Sequence, residues 1–374
     1  MANFFSNLIN NLVPNQNKSE SVIGLDIGSS SIKVVQLKKK SGKAVLETYG
    51  EVATGPYMAT DLGRSAVLPP EKLAEAVKDL LRESNTTTTN AGISIGIGAS
   101  FVVFMHIPTT DERKFAEMVP LEARKYIPVP ISEVTLDWWA IPKDESTVSQ
   151  FQNGQAVAQS AGTEILLVVI HNDILTKNKE VQKAAGIATA FSEVEIFSSV
   201  RSSLEPSIAP QMIIDFGAGS TKLFVVERGV LKASHVVNRG SQDITLALSK
   251  SLNISFEEAE KVKRRDGIIS NPNDTKIAEI SSVTIDYILA EAGRFVLGYY
   301  RKSGKKISKI TLSGGGALLK GLRERAQNAF ETPVVIADPF SKVAYPAFLE
   351  QILKQAGPEF AVALGLAIRK LQEE

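Results

Sequence analysis

The chain has 374 residues, 44% hydrophobic and 22% charged, an ordinary globular composition that excludes wholesale disorder and makes two or more domains the default. Its 42 basic and 41 acidic residues leave a formal net charge of +1, so no global bias points to nucleic acid; Lys38–Lys40 and Lys261–Arg265 are short basic runs of the kind that form solvated faces. The lack of cysteine excludes disulfides, zinc–thiolate sites and a cysteine nucleophile, and His106, His171 and His235 do not stand at metal-ligand spacing.

The first residues, MANFFSNLINNLV, put Phe4, Phe5, Leu8, Ile9, Leu12 and Val13 on one helical face, which Pro14 ends. A polar linker follows. Residues 1–21 therefore read as an amphipathic segment plus linker. It serves either as a tether to a membrane surface or partner, or as an end that docks on its own domain. Without lysines on the polar face, attraction to anionic lipid is weak. There is no basic n-region, so a signal peptide is not expected. Apolar runs such as Ile165–Ile170 are strand-length, against roughly 20 residues for a membrane span, so a cytoplasmic location is expected.

The first strong signal is VIGLDIGSSSIKVVQL, Val22–Leu37. Val22 to Ile27 reads as a buried strand, Gly28–Ser30 as a turn, and Ile32 to Leu37 as a second strand. Gly28 permits a tight turn whose N–H groups can approach a phosphate. The hydroxyls of Ser29, Ser30 and Ser31 add donors, and Lys33 adds positive charge. Asp26, ending a buried strand, suits Mg²⁺ held through its water shell. The sequence lacks GK[ST] and continues as strand, so it is no Walker loop. Taken alone, it fits a plain hairpin equally well.

The same grammar returns in IIDFGAGSTKLFVVERGV, Ile213–Val230: apolar strand, Asp215, a turn with Gly217 and Gly219, then Ser220, Thr221 and Lys222, then a second apolar strand. Two copies suggest two similar half-molecules facing one ligand. Further on, Ser255 and Glu258 form a capping-box start for a helix carrying Glu260 and Lys263. Those two charges belong either to a solvated face or to ribose and base. Ile285, Ile288, Leu289, Ala292, Phe295, Val296 and Tyr299 make one core-facing helical stripe. Gly298 to Lys305 fails the P-loop spacing and reads as that helix's end. In KITLSGGGALLKGL, the strand Ile310–Leu312 runs into Gly314, Gly315 and Gly316, with a helix expected from near Ala317. Such a turn lets backbone approach a base or phosphate.

In this order, DIGSSSIK, DFGAGSTK and SGGGALLKGL resemble the phosphate-1, phosphate-2 and adenosine motifs of the actin and heat-shock chaperone ATPase superfamily. Within it, the chain resembles the type IV pilus assembly PilM family, and FtsA more distantly. The stretches Met105–Ile141, Gly240–Arg264 and ILAEAGRFVLGYYR carry the same resemblance, which extends from about Ser21 to the C-terminus.

The resemblance implies an α/β, actin-like two-domain fold with ribonuclease H-like halves and a small α/β subdomain inserted in domain I. Domain I is expected over 22–205, with the insert at about 101–186; domain II over 206–336; and 337–374 returning to domain I. Within the insert, helices Glu112–Tyr126 and Asp173–Ala185 are expected to alternate with strands Glu133–Ile141 and Glu164–His171, and Thr147–Gly162 is expected as a loop.

ATP and Mg²⁺ are the implied cofactors. Asp26 and Asp215 would hold the metal through water. Gly28, Ser29, Ser30, Lys33, Gly217, Gly219, Ser220 and Thr221 would line the phosphates. Glu260, Lys263, Gly314, Gly315 and Gly316 would border the adenosine. Glu195 falls where chaperone relatives carry an acid near Mg²⁺, or is a helix N-terminal acid favoured by the dipole. Ala218 replaces the Asp or Gly common in the second phosphate turn of hydrolases, so ATP binding with slow or absent hydrolysis is expected.

The implied role is a cytoplasmic scaffold of the type IV pilus machine at the inner membrane. It would receive the cytoplasmic tail of a PilN-like partner in a groove of domain I and its insert, under nucleotide control. The alternatives are a polymer-forming cytoskeletal ATPase and a small-molecule kinase with the same cleft.

Overall fold

The computed structural model describes residues 21–141, 151–152, 155–156, 162–269 and 275–373. The amphipathic segment expected within residues 1–21 and most of the loop expected at Thr147–Gly162 lie outside these residues. Among the described residues, no helix is long and apolar enough to cross a membrane. The described residues divide into two compact units, one within Gly96–Lys179 and one made of the rest.

The larger unit holds two five-stranded sheets. In the first, β1 (Ser21–Ile27), β2 (Ser31–Lys40) and β3 (Lys43–Ala53) form an antiparallel meander. β4 (Asn90–Ile95) pairs parallel with β1, and β10 (Thr189–Val194) pairs parallel with β4. In the second, β11 (Gln211–Phe216), β12 (Thr221–Glu227) and β13 (Val230–Val237) form the meander. β14 (Lys309–Ser313) pairs parallel with β11, and β15 (Val334–Ile336) with β14. The orders β10-β4-β1-β2-β3 and β15-β14-β11-β12-β13 are the same order in two copies. The duplication seen in the two glycine hairpins thus extends to whole sheets.

Period-two burial explains why these runs become two-faced strands. On one face of the first sheet, Val22, Val35 and Leu37 pack with Ala363, Leu364 and Ala367 of α10 (Ala361–Glu373). On the other, Ile23, Leu25, Ile32 and Val34 meet Ala74, Val77 and Leu80 of α1 (Pro70–Glu83). In the second half, Met212, Ile214 and Phe216 share a core with several helices, three of which follow the meander directly. These are α5 (Ser241–Leu252), α6 (Phe256–Asp266) and α7 (Lys276–Ser303).

The stripe on α7 is buried as expected at Ile285, Ile288, Leu289, Ala292 and Tyr299, while Phe295 and Val296 are half-buried against the same core. The helix ends at Ser303 with left-handed Gly304 behind it, in line with the helix-end reading of that stretch. After β14 the chain makes a 3-10 turn over Gly315–Leu318 and begins α8 only at Leu322 (Leu322–Ala329). The helix expected from Ala317 therefore starts later. Left-handed Gly321 and the extended Leu319 break the helical path between them.

The smaller unit is a three-stranded antiparallel sheet. β9 (Thr163–His171) is central, flanked by β5 (Ser100–Ile107) and β6 (Val134–Ile141). Phe115, Val119 and Ala123 of α2 (Phe115–Ala123) cover one face of it. α2 is shorter than the helix expected over Glu112–Tyr126, because its first residues form a 3-10 turn capped by Asp111. The short strands β7 (Phe151–Gln152) and β8 (Gln155–Ala156) pair with each other. α3 (Asn172–Ala185) follows β9.

Candidate functional site

Each half of the larger unit ends its first strand on an aspartate, and the hairpin returns a lysine opposite it. Asp26 faces Lys33 across β1–β2, and Asp215 faces Lys222 across β11–β12. The turns match as well: Gly28 N–H donates to the Ser31 carbonyl and Gly217 N–H to the Ser220 carbonyl, both at 3.1 Å. A Cβ would stand 2.7 Å from the Ser31 oxygen at position 28 and 2.8 Å from the Ser220 oxygen at position 217, so close approach requires glycine in both turns. The hydroxyls of Ser29, Ser30 and Ser220 bond to no other described residue. Thr221 differs: its side chain is buried and donates to the Arg239 carbonyl at 2.9 Å.

The two hairpins meet in one charge cluster. Glu195 is the first residue of α4 (Glu195–Ser203), directly after β10. Its Oε2 accepts from Lys222 Nζ at 2.9 Å, so an acid of the first half pairs with the lysine of the second. Lys222 also lies 3.5 Å from Asp215 Oδ2. Two positions upstream, buried Glu193 fixes the β10–α4 junction, accepting from Arg201 and Arg369 at 2.8 and 2.9 Å and from Ser198 at 2.5 Å. Lys33 has turned elsewhere, to Ser31 Oγ at 2.5 Å and Glu51 Oε1 at 3.1 Å.

Electrostatics mark the aspartates as unusual. Burial pushes the Asp26 carboxyl up to about 6; Glu195 adds to the rise, while Lys33, Lys222 and a Ser94 hydrogen bond oppose it. Burial raises Asp215 as well, against the pull of Lys222. For Lys222, burial works against the cation, but Asp215 and Glu195 outweigh it and hold the proton more firmly than usual. Among the described residues, no group of three or more Asp, Glu or His side chains is gathered closely enough to grip a metal ion directly. Two buried carboxylates at the ends of facing strands suit a hydrated divalent cation, which keeps several waters.

The third glycine turn adjoins this cluster. Gly314 has φ of +78°, and a Cβ there would sit 2.4 Å from Asp215 Oδ1. A Cβ on Gly316 would lie 2.0 Å from the Phe216 ring. These two glycines are therefore required by the protein's own packing. Gly315 faces Glu359, whose carboxyl is raised first by burial and then by neighbouring Glu51. Gly314→Ala is expected to lower stability by about 1–3 kcal/mol, from positive-φ strain plus displacement of Asp215, read as an earlier midpoint in urea unfolding with an unchanged slope.

Glu260 and Lys263 are both buried and satisfy each other at 2.6 Å. Thr245 Oγ1 donates to Glu260 Oε2 at 2.7 Å, and Arg264 Nε to Oε1 at 2.8 Å. Despite burial, these partners hold Glu260 below its usual range. The exposed-face alternative is thereby removed for both residues. Lys222, Glu51, Arg264 and Glu359 join the site only in the folded structure. Lys222 was available from the repeat, as the counterpart of Lys33. Glu51 and Glu359 have no local signal, because strand register and the return of the C-terminal segment bring them in.

Comparison with known proteins fits this architecture. A family profile described as type IV pilus assembly protein PilM matches residues 24–371. Cell division protein FtsA of Bacillus subtilis is 21% identical over 86% of this chain and 80% of its own length. FtsA of Neisseria meningitidis serogroup B is 30% identical over 34% of this chain, and the match spans 36% of that relative. A solved PilM-PilN type IV pilus biogenesis complex superposes with TM-score 0.79 at 25% identity, covering 95% of this chain and 99% of that one. The fold is actin-like.

Proposed function

Because the chain belongs to the type IV pilus assembly protein PilM family, we propose that it is an ATP-binding, actin-like scaffold of the pilus assembly machinery. The observation that carries this reading is the convergence of two identical hairpin geometries on one buried set, Asp26, Asp215, Glu195 and Lys222. The domain division at 22–205, 206–336 and 337–374, with an insert at about 101–186, is part of the same proposal.

In it, the turns at Gly28–Ser30 and Gly217–Ser220 present N–H groups and free hydroxyls to the phosphates. Thr221 contributes through its backbone, since its hydroxyl is committed to Arg239. Lys33 is within reach by leaving Glu51. Asp26 and Asp215 hold the water shell of Mg²⁺, which would neutralise phosphate charge. Gly314–Gly316 and the Glu260–Lys263 pair border the adenosine side. With Ala218 in the second turn and Glu195 engaged by Lys222, the residues are suited to holding ATP more than to activating a water, so turnover is slow or absent.

Nucleotide acts by biasing how the two halves meet. The solved PilM-PilN complex supports a PilN-like partner; in the proposal that partner contributes a cytoplasmic tail and holds the chain at the cytoplasmic face of the inner membrane. A ligand shifts such an equilibrium only through differential affinity, so partner and nucleotide must be coupled. Fluorescence anisotropy with a labelled peptide of the PilN-like cytoplasmic tail is expected to give affinities in ATP–Mg²⁺ and ADP–Mg²⁺ that differ by at least about fivefold. Equal affinities, or no binding of the peptide, would remove nucleotide control or the partner from the proposal.

A further inference from the structure

Between β3 and α1 the chain does not take the short path. Residues 54–69 form a strap that touches both halves of the larger unit. On the first half, Ser29 carbonyl oxygen accepts from Ala66 N–H at 2.7 Å and from Thr54 Oγ1 at 3.0 Å. Thr54 N–H donates to the Ser30 carbonyl at 3.0 Å. On the second half, Ser65 N–H donates to Gln242 Oε1 at 3.0 Å, and the Arg64 guanidinium lies 5.1 Å from the centre of the Phe256 ring. Gln242 is itself bound to the second hairpin, its N–H donating to the Ala218 carbonyl at 3.0 Å.

Two glycines let the strap lie this close. Gly63, at φ +82°, would put a Cβ 3.1 Å from the Glu260 carboxyl carbon. A Cβ on Gly219 would stand 3.1 Å from Ser65 Oγ. The strap therefore runs from the Glu260 helix to the two hairpin turns. It places one hydroxyl, Ser65 Oγ, beside the second turn and one residue from the atom that anchors the first. That hydroxyl bonds to no other described residue, although its main chain is fixed from both sides.

We propose that the strap is a third wall of the nucleotide site, in which the Ser65 hydroxyl donates to the terminal phosphate of a nucleoside triphosphate and makes the site favour triphosphate over diphosphate. This rests on the ATP-binding reading above. With the adenosine at Gly314–Gly316 and the phosphates at the hairpin turns, as that reading has it, the phosphate farthest from the sugar would be the one beside Ser65. A diphosphate stops short of it. Gln242 is a positioning residue, since it sets where Ser65 stands relative to the second turn.

The test is calorimetric titration of ATP–Mg²⁺ and ADP–Mg²⁺ into the full chain and its Ser65→Ala variant. Ser65 is only half-buried and its main-chain bonds survive the change, so the variant keeps the fold. Loss of a donor to a charged group is expected to weaken ATP binding about tenfold while changing ADP binding less than about twofold. Gln242→Ala, which keeps the hydroxyl but frees its backbone, is expected to lower the ATP-to-ADP preference in the same direction. A Ser65→Ala variant with the wild-type preference overturns the proposal while leaving ATP binding intact. A variant that weakens both nucleotides equally overturns it too. A wild-type chain that binds neither nucleotide overturns the ATP-binding reading itself, and this proposal with it.

Discussion

Lys222→Met is expected to lower the unfolding free energy by roughly 3–5 kcal/mol at pH 7, because it leaves buried acids without their cation. Lys222 is flanked by Glu195 Oε2 at 2.9 Å and Asp215 Oδ2 at 3.5 Å, and the side chains of all three are at most 17% exposed. Methionine fills the volume without the charge, so the loss is electrostatic. Its sign with pH follows from the acids. With the cation gone, protonation relieves them, and Asp215 already stands above the ordinary carboxylate range through burial. The deficit therefore shrinks as pH falls.

The repeat supplies an internal control. Lys33 is the counterpart of Lys222, but its partner Glu51 has a side chain 37% exposed. Lys33 itself is only 11% exposed and its charge opposes the burial penalty on Asp26, but its Glu51 partner keeps part of the pair in solvent, which screens it. Lys33→Met should thus cost less than Lys222→Met. Equal losses in urea unfolding would contradict the asymmetry.

Asp26→Asn is expected to act with opposite signs on stability and on binding. The Asp26 carboxyl is pushed up to about 6 from 3.8, mainly by burial. Below pH 3.8 the group is protonated whether the chain is folded or unfolded, and it carries no penalty. As pH rises from there to 6, the unfolded chain gives up the proton while the buried acid keeps it, so stability is lost over that window. Above it the penalty is about 2–3 kcal/mol. Asparagine has the shape of the protonated acid and no charge to bury. The variant should be more stable than wild type by that amount at pH 7, and equal to it near pH 3.5. Denaturant melts across this range would read the difference. The same substitution removes one of the two carboxylates proposed to hold hydrated Mg²⁺, so nucleotide binding should disappear. A residue retained at the expense of stability is more readily explained by a ligand than by packing.

Much of this was legible in the sequence, for physical reasons that differ between residues. The two hairpins were legible because strand, aspartate, glycine turn, hydroxyls and lysine are contiguous, and contiguity preserves register. Asp26–Lys33 and Asp215–Lys222 follow from it. The α7 stripe was legible because a core-facing helix repeats its apolar residues at helical spacing. What escaped the sequence is tertiary. Glu195 could be placed at a helix start, but its partner could not, since Lys222 arrives from the other half. The sequence assigns the glycines of the third turn to a ligand; that Gly314 and Gly316 are also demanded by Asp215 and Phe216 is visible only in the fold. The buried Glu260–Lys263 pair looks, at helical spacing, like any solvated face; only packing against α5 distinguishes it. The strap has no periodicity at all, and its role rests on hydrogen bonds to Ser29 and Gln242 that no local pattern encodes.

The central claim is that the paired hairpins form one nucleotide site. Titration calorimetry of ATP–Mg²⁺ at pH 7.5, on the wild-type chain and on Asp26→Asn in parallel with their unfolding curves, tests it most directly. Saturable binding by wild type at one site per chain, and none by a variant that is folded and more stable, is the predicted result. An Asp26→Asn protein that binds ATP with wild-type affinity would contradict the site.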